Sequence, residues 1–327
     1  MALTTIAASR GAVQGSVARA IEGRRTDLRG RLFELLLAAC LIISLVVLVL
    51  MIYDVLGDGL SVYADRGIDF LNGGLSQSAE RAGIAQGIIG SFWIAISVLV
   101  VSIPLGIGAA VYLEEYAPRN RLTSFIEINV RNLAGVPSVV YGLLGLAIFV
   151  EALGGFVGKD DASHSTLIAA GITLAVLVLP IVIITTTEAI RAVPIALREG
   201  AYGVGATRWE VIRSQVLPYA MPGIVTGGLL AIARAVGEAA PLILVGALTG
   251  LAGRSPGLSV GSVLDPSSLA DRFTAMPIII TAWSRLPDPD FRIHNAAAAI
   301  IAMLTFVLLV NTFAILLRNR FEKKRAA

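Results

Sequence analysis

Residues 191–218 read RAVPIALREGAYGVGATRWEVIRSQVLP, and the rest of the chain is organised around this stretch. It is charged and amphipathic, yet it lies between two long apolar runs. Pro194 and Pro218 bracket it, each removing a backbone hydrogen-bond donor. Between them the pattern predicts two short helices, Ile195 to Tyr202 and Thr207 to Val216. Gly203 and Gly205 stand at the joint, where reversing the chain calls for positive φ. Thr207 is placed to cap the second helix, and Glu210, three residues on, completes a capping box. A folded polar hairpin between apolar segments is a candidate docking element. The plainer alternative is a helix lying flat on a bilayer.

Composition sets the class. The chain has 327 residues, 56% hydrophobic and 15% charged, with mean hydropathy +0.81. Those values belong to a protein that crosses a membrane several times, not to a soluble domain around one core. A net charge of only +3 gives no argument for a nucleic-acid partner. One cysteine excludes an internal disulfide, and with two histidines it makes no metal-ligand cluster. The sequence contains no phosphate-binding loop, no G-x-S-x-G and no nucleotide fingerprint. Any energy from ATP therefore has to come from a partner, and no cofactor is expected on this chain.

The apolar runs predict an all-helical, polytopic fold with six spans. Residues 1–31 form a polar tail with six arginines. The first span occupies residues 32–56, with Leu35 to Tyr53 its apolar centre, enough to cross about 30 Å of hydrocarbon. Leu56 to Gln86 reads as an external loop. A transmembrane domain over residues 87–317 supplies the other five spans: about Gly87 to Leu113, Asn132 to Val150, Thr166 to Thr187, Tyr219 to Leu251 and Ala296 to Leu317. Glu114 to Arg131 and the 191–218 hairpin lie inside. Gly154 to Ser165, with a solvated His164, and residues 251–295 lie outside. Phe273 to Trp283 is apolar but short and contains Pro277, so it reads as a re-entrant or interfacial piece. Residues 318–327 form a basic tail. Eighteen lysines and arginines fall in the segments assigned inside and seven in those assigned outside. That bias places both termini in the cytoplasm.

One basic residue breaks the pattern. Arg234 lies about 22 Å beyond Tyr219 along a helix, within the hydrocarbon depth, where an unpaired charge costs several kcal/mol. Glu238, four residues on, shares its helix face and is placed to neutralise it in part. The pair reads either as a packing salt bridge or as part of an anion pathway. A carboxylate beside the arginine also suits hydrogen phosphate, which carries a proton, better than sulfate, which has none at neutral pH.

The hairpin resembles the EAA motif of permease subunits of bacterial ABC importers. That motif reads E-A-A, three residues, G, nine residues, I-x-L-P, and Glu199, Ala201, Gly205, Leu217 and Pro218 match it. Gly200 replaces an alanine and Gln215 an isoleucine. The segments GVPSVVYGLLGL, LPIVIITTTEAIRAVP, RAVGEAAPLIL and FTAMPIIITAW…PDPDF…NAAAAI resemble the PstA-type permease of phosphate ABC importers. The resemblance implies the type I importer permease fold in the bacterial cytoplasmic membrane. It implies that Glu199, Gly200, Ala201, Gly205, Leu217 and Pro218 dock an ATPase, and that Arg234 and Glu238 line the translocation path. Implied partners are a PstC-type permease subunit, a cytoplasmic ATPase dimer, an external phosphate-binding protein, phosphate and the bilayer. Import of another oxyanion such as molybdate or sulfate is the alternative. An ATP-independent transporter or channel fits less well, because neither needs a docking hairpin.

Overall fold

The computed structural model describes residues 28–152, 166–247 and 273–326. The expectations for the N-terminal tail, for His164 and its turn, and for residues 251–272 fall outside them. The described residues are mostly helical, with no strand among them.

The first helix, α1, runs from Leu28 to Arg66 over 39 residues, longer at both ends than the expected span. The chain divides within it, between Asp54 and Val55, into two compact units. The described part of the first unit, residues 28–54, leaves its Leu, Ile and Val side chains exposed, as a lipid-facing span does. Beyond Tyr53 the helix continues into the second unit because it has partners there. Tyr63 Oη donates to the Ala298 carbonyl at 2.8 Å. Gly59 lets the backbones meet, since a Cβ there would stand 2.8 Å from the Ala297 carbonyl carbon. Gly67, at φ +52, ends the helix.

In the second unit the elements that follow are α2 (Ile68–Asn72), α3 (Ala85–Val111), α4 (Arg121–Ala134), α5 (Ser138–Gly145) and α6 (Leu167–Arg191). After these come α7 (Ile195–Gly203), α8 (Arg208–Val211), α9 (Leu217–Gly237), α10 (Ala240–Leu244), α11 (Met276–Trp283) and α12 (Ala296–Ala326). Among the described residues four wider π turns are inserted, at Tyr112–Tyr116, Leu146–Ala152, Ile212–Val216 and Asp290–Asn295. Five helical runs among the described residues are long and apolar enough to cross a membrane, or six if α4 and α5 count as one bent span.

α3, α6 and α9 form the centre. Ser97 faces Gly171 and Val182 faces Gly106, so α3 and α6 run in the same direction. Thr185 faces Gly227 and Ala189 faces Gly223, so α9 runs the other way. In lipid, where apolar burial gives little preference for protein over solvent, such small-residue contacts let helices approach and gain dispersion energy. Val98, Leu174, Val178, Ala231 and Ala235 fill the space between them.

Three expectations need correction. The third span is not one helix from Asn132: α4 ends at Ala134, and the chain bends by 101° before α5. Pro137 forces Val136 out of helical geometry, and the Leu133 carbonyl at the end of α4 accepts from both Val136 N at 3.1 Å and Tyr141 Oη at 2.9 Å. The fifth segment breaks after Gly237, where Pro241 has no N–H to give and its ring excludes the carbonyl four residues back. Finally, the expected loop Leu56 to Gln86 is helical as far as Arg66, and residues 67–84 pack as a cap. Phe70, Ala82 and Ile84 are fully buried with Trp283, Phe291 and Met276. Arg66 fastens this cap by donating to the carbonyls of Ala79 at 3.1 Å and Ala82 at 2.7 Å. α11 lies within it, its Ile278 and Ile279 buried and Met276 N bonded to Ser91 Oγ of α3 at 2.9 Å.

Candidate functional site

The hairpin forms where the sequence places it. α7 begins after Pro194 and ends one residue later than expected, at Gly203. Gly205 has φ +88, the left-handed conformation that favours glycine. Its N–H donates to the Tyr202 carbonyl at 2.9 Å, and that of Ala206 to Ala201 at 3.2 Å, closing the end of α7. Thr207 then caps α8, with both halves of the capping box made. Thr207 N donates to Glu210 Oε2 at 2.7 Å, and the backbone and hydroxyl of Thr207 together hold the Glu210 carboxyl below its ordinary pKa.

Pro218 does not close the hairpin as the sequence suggests. The chain stays helical from Arg208 to Gly237, and the π turn at Ile212–Val216 lies just before the proline. The wider turn accommodates a residue that donates no hydrogen bond and crowds the carbonyl of Ser214. Val211, Ile212 and Val216 are buried against Ile190, Val193, Ala110 and Val111. The opposite side of the hairpin is open. Glu199, Gly200, Gly205 and Pro218 are exposed, Ala201 and Leu217 half-buried. Around them Ile195, Tyr202, Val204 and Trp209 are exposed, Val204 at 86%.

Sequence reasoning missed what the hairpin rests on. The π turn YLEEY, Tyr112–Tyr116, ends α3 and receives it. Arg198 of α7 reaches Glu115 at 3.0 Å and the Ile190 carbonyl at 2.9 Å. Arg208 stacks over Tyr116, 4.9 Å from the ring centroid. Beside them Arg191, the last residue of α6, pairs with Glu114 at 2.6 Å and lies 3.6 Å from both Glu127 and Glu188. The available signal was two adjacent acids closing an apolar run, opposite a hairpin with four arginines.

The second predicted pair also meets, by a different geometry. Arg234 Nε lies 3.5 Å from Glu238 Oε1, with the two side chains 40% and 22% exposed. Glu238 is no longer helical: it is the first residue past α9, at φ −84 and ψ 116. The pair therefore straddles a helix end instead of sharing a helix face. Arg234 sits in the last turn of α9, where unpaired carbonyls and the helix dipole favour a cation. Its charge is thus balanced twice, and the 3.5 Å separation leaves the ion pair without a short hydrogen bond.

The structure is thus a helical bundle with a folded hairpin joining two of its central helices. It superposes on a bacterial ABC transporter that imports the acidic polysaccharide alginate, with TM-score 0.58 at 16% identity over 92% of this chain and 99% of that one. At that identity the likeness concerns the fold alone. Residues 102–326 match the family described as binding-protein-dependent transport system inner membrane component. The chain belongs to this family and is a multi-pass membrane component of a transport system. It is 37% identical to the probable ABC transporter permease protein YqgI of Bacillus subtilis, over 53% of this chain and 56% of YqgI. It is 38% identical to the phosphate transport system permease protein PstA of Mycobacterium leprae, over 53% and 54%. Relatives named PstC match as well. The chain thus spans about half the length of several of these curated relatives.

Proposed function

We propose that the chain is the PstA-type membrane subunit of an ATP-driven importer of inorganic phosphate, with the hairpin end facing the cytoplasm. The observation that supports this best is the hairpin itself. It presents Ile195, Tyr202, Val204 and Trp209 to a partner. On its other side it is fastened to α3 through Arg198–Glu115 and packs on α6 at Ile190. A push on this surface by an ATPase dimer that binds ATP and magnesium reaches two central spans at once. Alternating access then follows as a rigid-body change of those spans. The remaining partners are a related PstC-type permease and an external phosphate-binding protein.

Arg234 serves as the transient anion site in this reading. Its loose partner Glu238 yields to an oxyanion, and the guanidinium fork matches two phosphate oxygens. The Glu238 carboxylate can accept a hydrogen bond from the P–OH of hydrogen phosphate, which gives a basis for preferring phosphate over sulfate or molybdate, which carry no proton at neutral pH. The test is radiolabelled phosphate uptake by cells whose only phosphate importer contains this chain, with sulfate and molybdate as competitors. Phosphate uptake that neither competitor reduces is expected. Uptake of sulfate or molybdate in place of phosphate overturns the substrate, and uptake that persists without the ATPase overturns the mechanism.

A further inference from the structure

The helix α4 has a surface that neither the hairpin nor the intramembrane pair uses. One side packs on the end of α6 through Val130, Glu127 and Arg131, near Ile183, Thr187 and Glu188. On another side Leu122, Phe125, Ile126 and Leu133 fall within an arc of roughly 100° at 100° per residue. All four are exposed, Leu122 at 66% and Phe125 at 64%. Beside that stripe a groove of about 850 Å³ is lined by Arg119, Asn120, Arg121, Thr123 and Ser124, together with Glu114, Glu127 and Arg191. Arg191 is engaged by both acids, at 2.6 Å and 3.6 Å. Arg119 and Arg121 are exposed and have no ion-pair partner among the described residues. Three arginines against two glutamates leave the groove with a net charge of +1, and Arg119 and Arg121 carry its two unpaired cations.

The bend fixes how this surface meets the membrane. With 101° between α4 and α5, an α5 that crosses the bilayer leaves α4 lying nearly in its plane. A helix in that plane with an apolar stripe bordered by arginines has the pattern of an interfacial helix. We propose that α4 is such a helix and that Arg119 and Arg121 hold the phosphodiester headgroup of an anionic phospholipid in the adjoining groove. The acyl chains lie along Leu122, Phe125 and Ile126. Lipid of the leaflet at the hairpin end thereby steadies the α4–α6 contact beneath Arg191.

The test uses the assembled importer, with Cys40 replaced by serine, in phosphatidylethanolamine vesicles with or without phosphatidylglycerol. Nitroxides placed at Leu122, Phe125 and Ile126 should relax faster with oxygen than with a water-soluble nickel chelate, and one at Ser124 should show the reverse. Spin-labelled phosphatidylglycerol should be enriched around the protein over spin-labelled phosphatidylcholine. The enrichment should fall roughly five-fold per arginine in Arg119→Gln and Arg121→Gln and survive in the corresponding lysine variants. Stripe positions closed to both reagents would show a protein partner there, and stripe positions open to nickel would show a helix in water. Enrichment unchanged in the glutamine variants, or abolished by inorganic phosphate, would remove the lipid from the groove. Any of these outcomes overturns the proposal.

Discussion

Arg198 and Glu115 show how much a single contact decides. Their side chains are 22% and 10% exposed, so neither is freely hydrated, and removing one leaves the other charge largely buried. Breaking such a pair costs about 3 kcal/mol, while exchanging both members for apolar residues of similar size is often tolerated. Arg198→Ala is therefore expected to lower the thermal stability of the purified chain, and Arg198→Met with Glu115→Leu to recover most of it. Transport should separate the two roles: the apolar double variant folds but transmits the hairpin's motion less directly. Wild-type stability in Arg198→Ala, followed by melting in detergent, would show that the contact contributes nothing. The intramembrane pair is tested by the same logic with the opposite readout. If Arg234 is only a packing charge, Arg234→Met with Glu238→Gln preserves phosphate uptake. If it is an anion site, that variant reaches the membrane at normal abundance and fails to transport, while Arg234→Lys retains part of the activity.

At the scale of the element, the hairpin is legible because its signals are local. Glycine at the turn, threonine before the second helix and glutamate three residues later each act on their nearest neighbours. The π turns are not legible in this way. Ile212–Val216 and Tyr112–Tyr116 repeat apolar residues at spacings that suit an ordinary helix, and only the proline or the partner across the interface widens them. Two predictions follow from the hairpin's geometry. A Cβ at Gly205 meets nothing within 4 Å, so Gly205→Val acts by backbone strain at φ +88 and not by a clash. It should leave the chain in the membrane but reduce ATPase co-purification and uptake together. Gly200 has equal space and lies inside α7, so Gly200→Ala should stabilise that helix by up to about 1 kcal/mol and leave docking intact. The capping box adds a pH dependence. Because the Thr207 backbone and hydroxyl lower the Glu210 pKa, the box is complete above the ordinary carboxylate range and is lost as pH falls through the lowered value. A nitroxide at Val204 should grow more mobile on acidification, and Glu210→Gln should remove that response.

For the whole molecule, the number and order of apolar segments are read from the apolar runs along the sequence, since a single segment satisfies its own backbone in lipid only as a helix. What composition hides is the structure at the end opposite the hairpin. Phe70 and Ile84 meet Trp283 and Met276, two hundred residues away, and no periodicity in residues 67–84 announces the contact. The fold itself also leaves open which end faces the cytoplasm, and charge asymmetry is the argument that assigns it. Cysteine accessibility tests that assignment in a Cys40→Ser background. Val204, 86% exposed on the hairpin, is suited to the inner probe because its side chain neither caps a helix nor bonds. Ser61 and Ser284, exposed at the opposite end, are suited to the outer one. In intact cells a membrane-impermeant maleimide should label Ser61→Cys and Ser284→Cys and spare Val204→Cys. In inside-out vesicles Val204→Cys should react, and should be protected again when the ATPase is bound. Labelling of Val204→Cys in intact cells would invert the topology and remove the docking role together. Reaction in vesicles that added ATPase does not slow would keep the topology and remove the docking role alone.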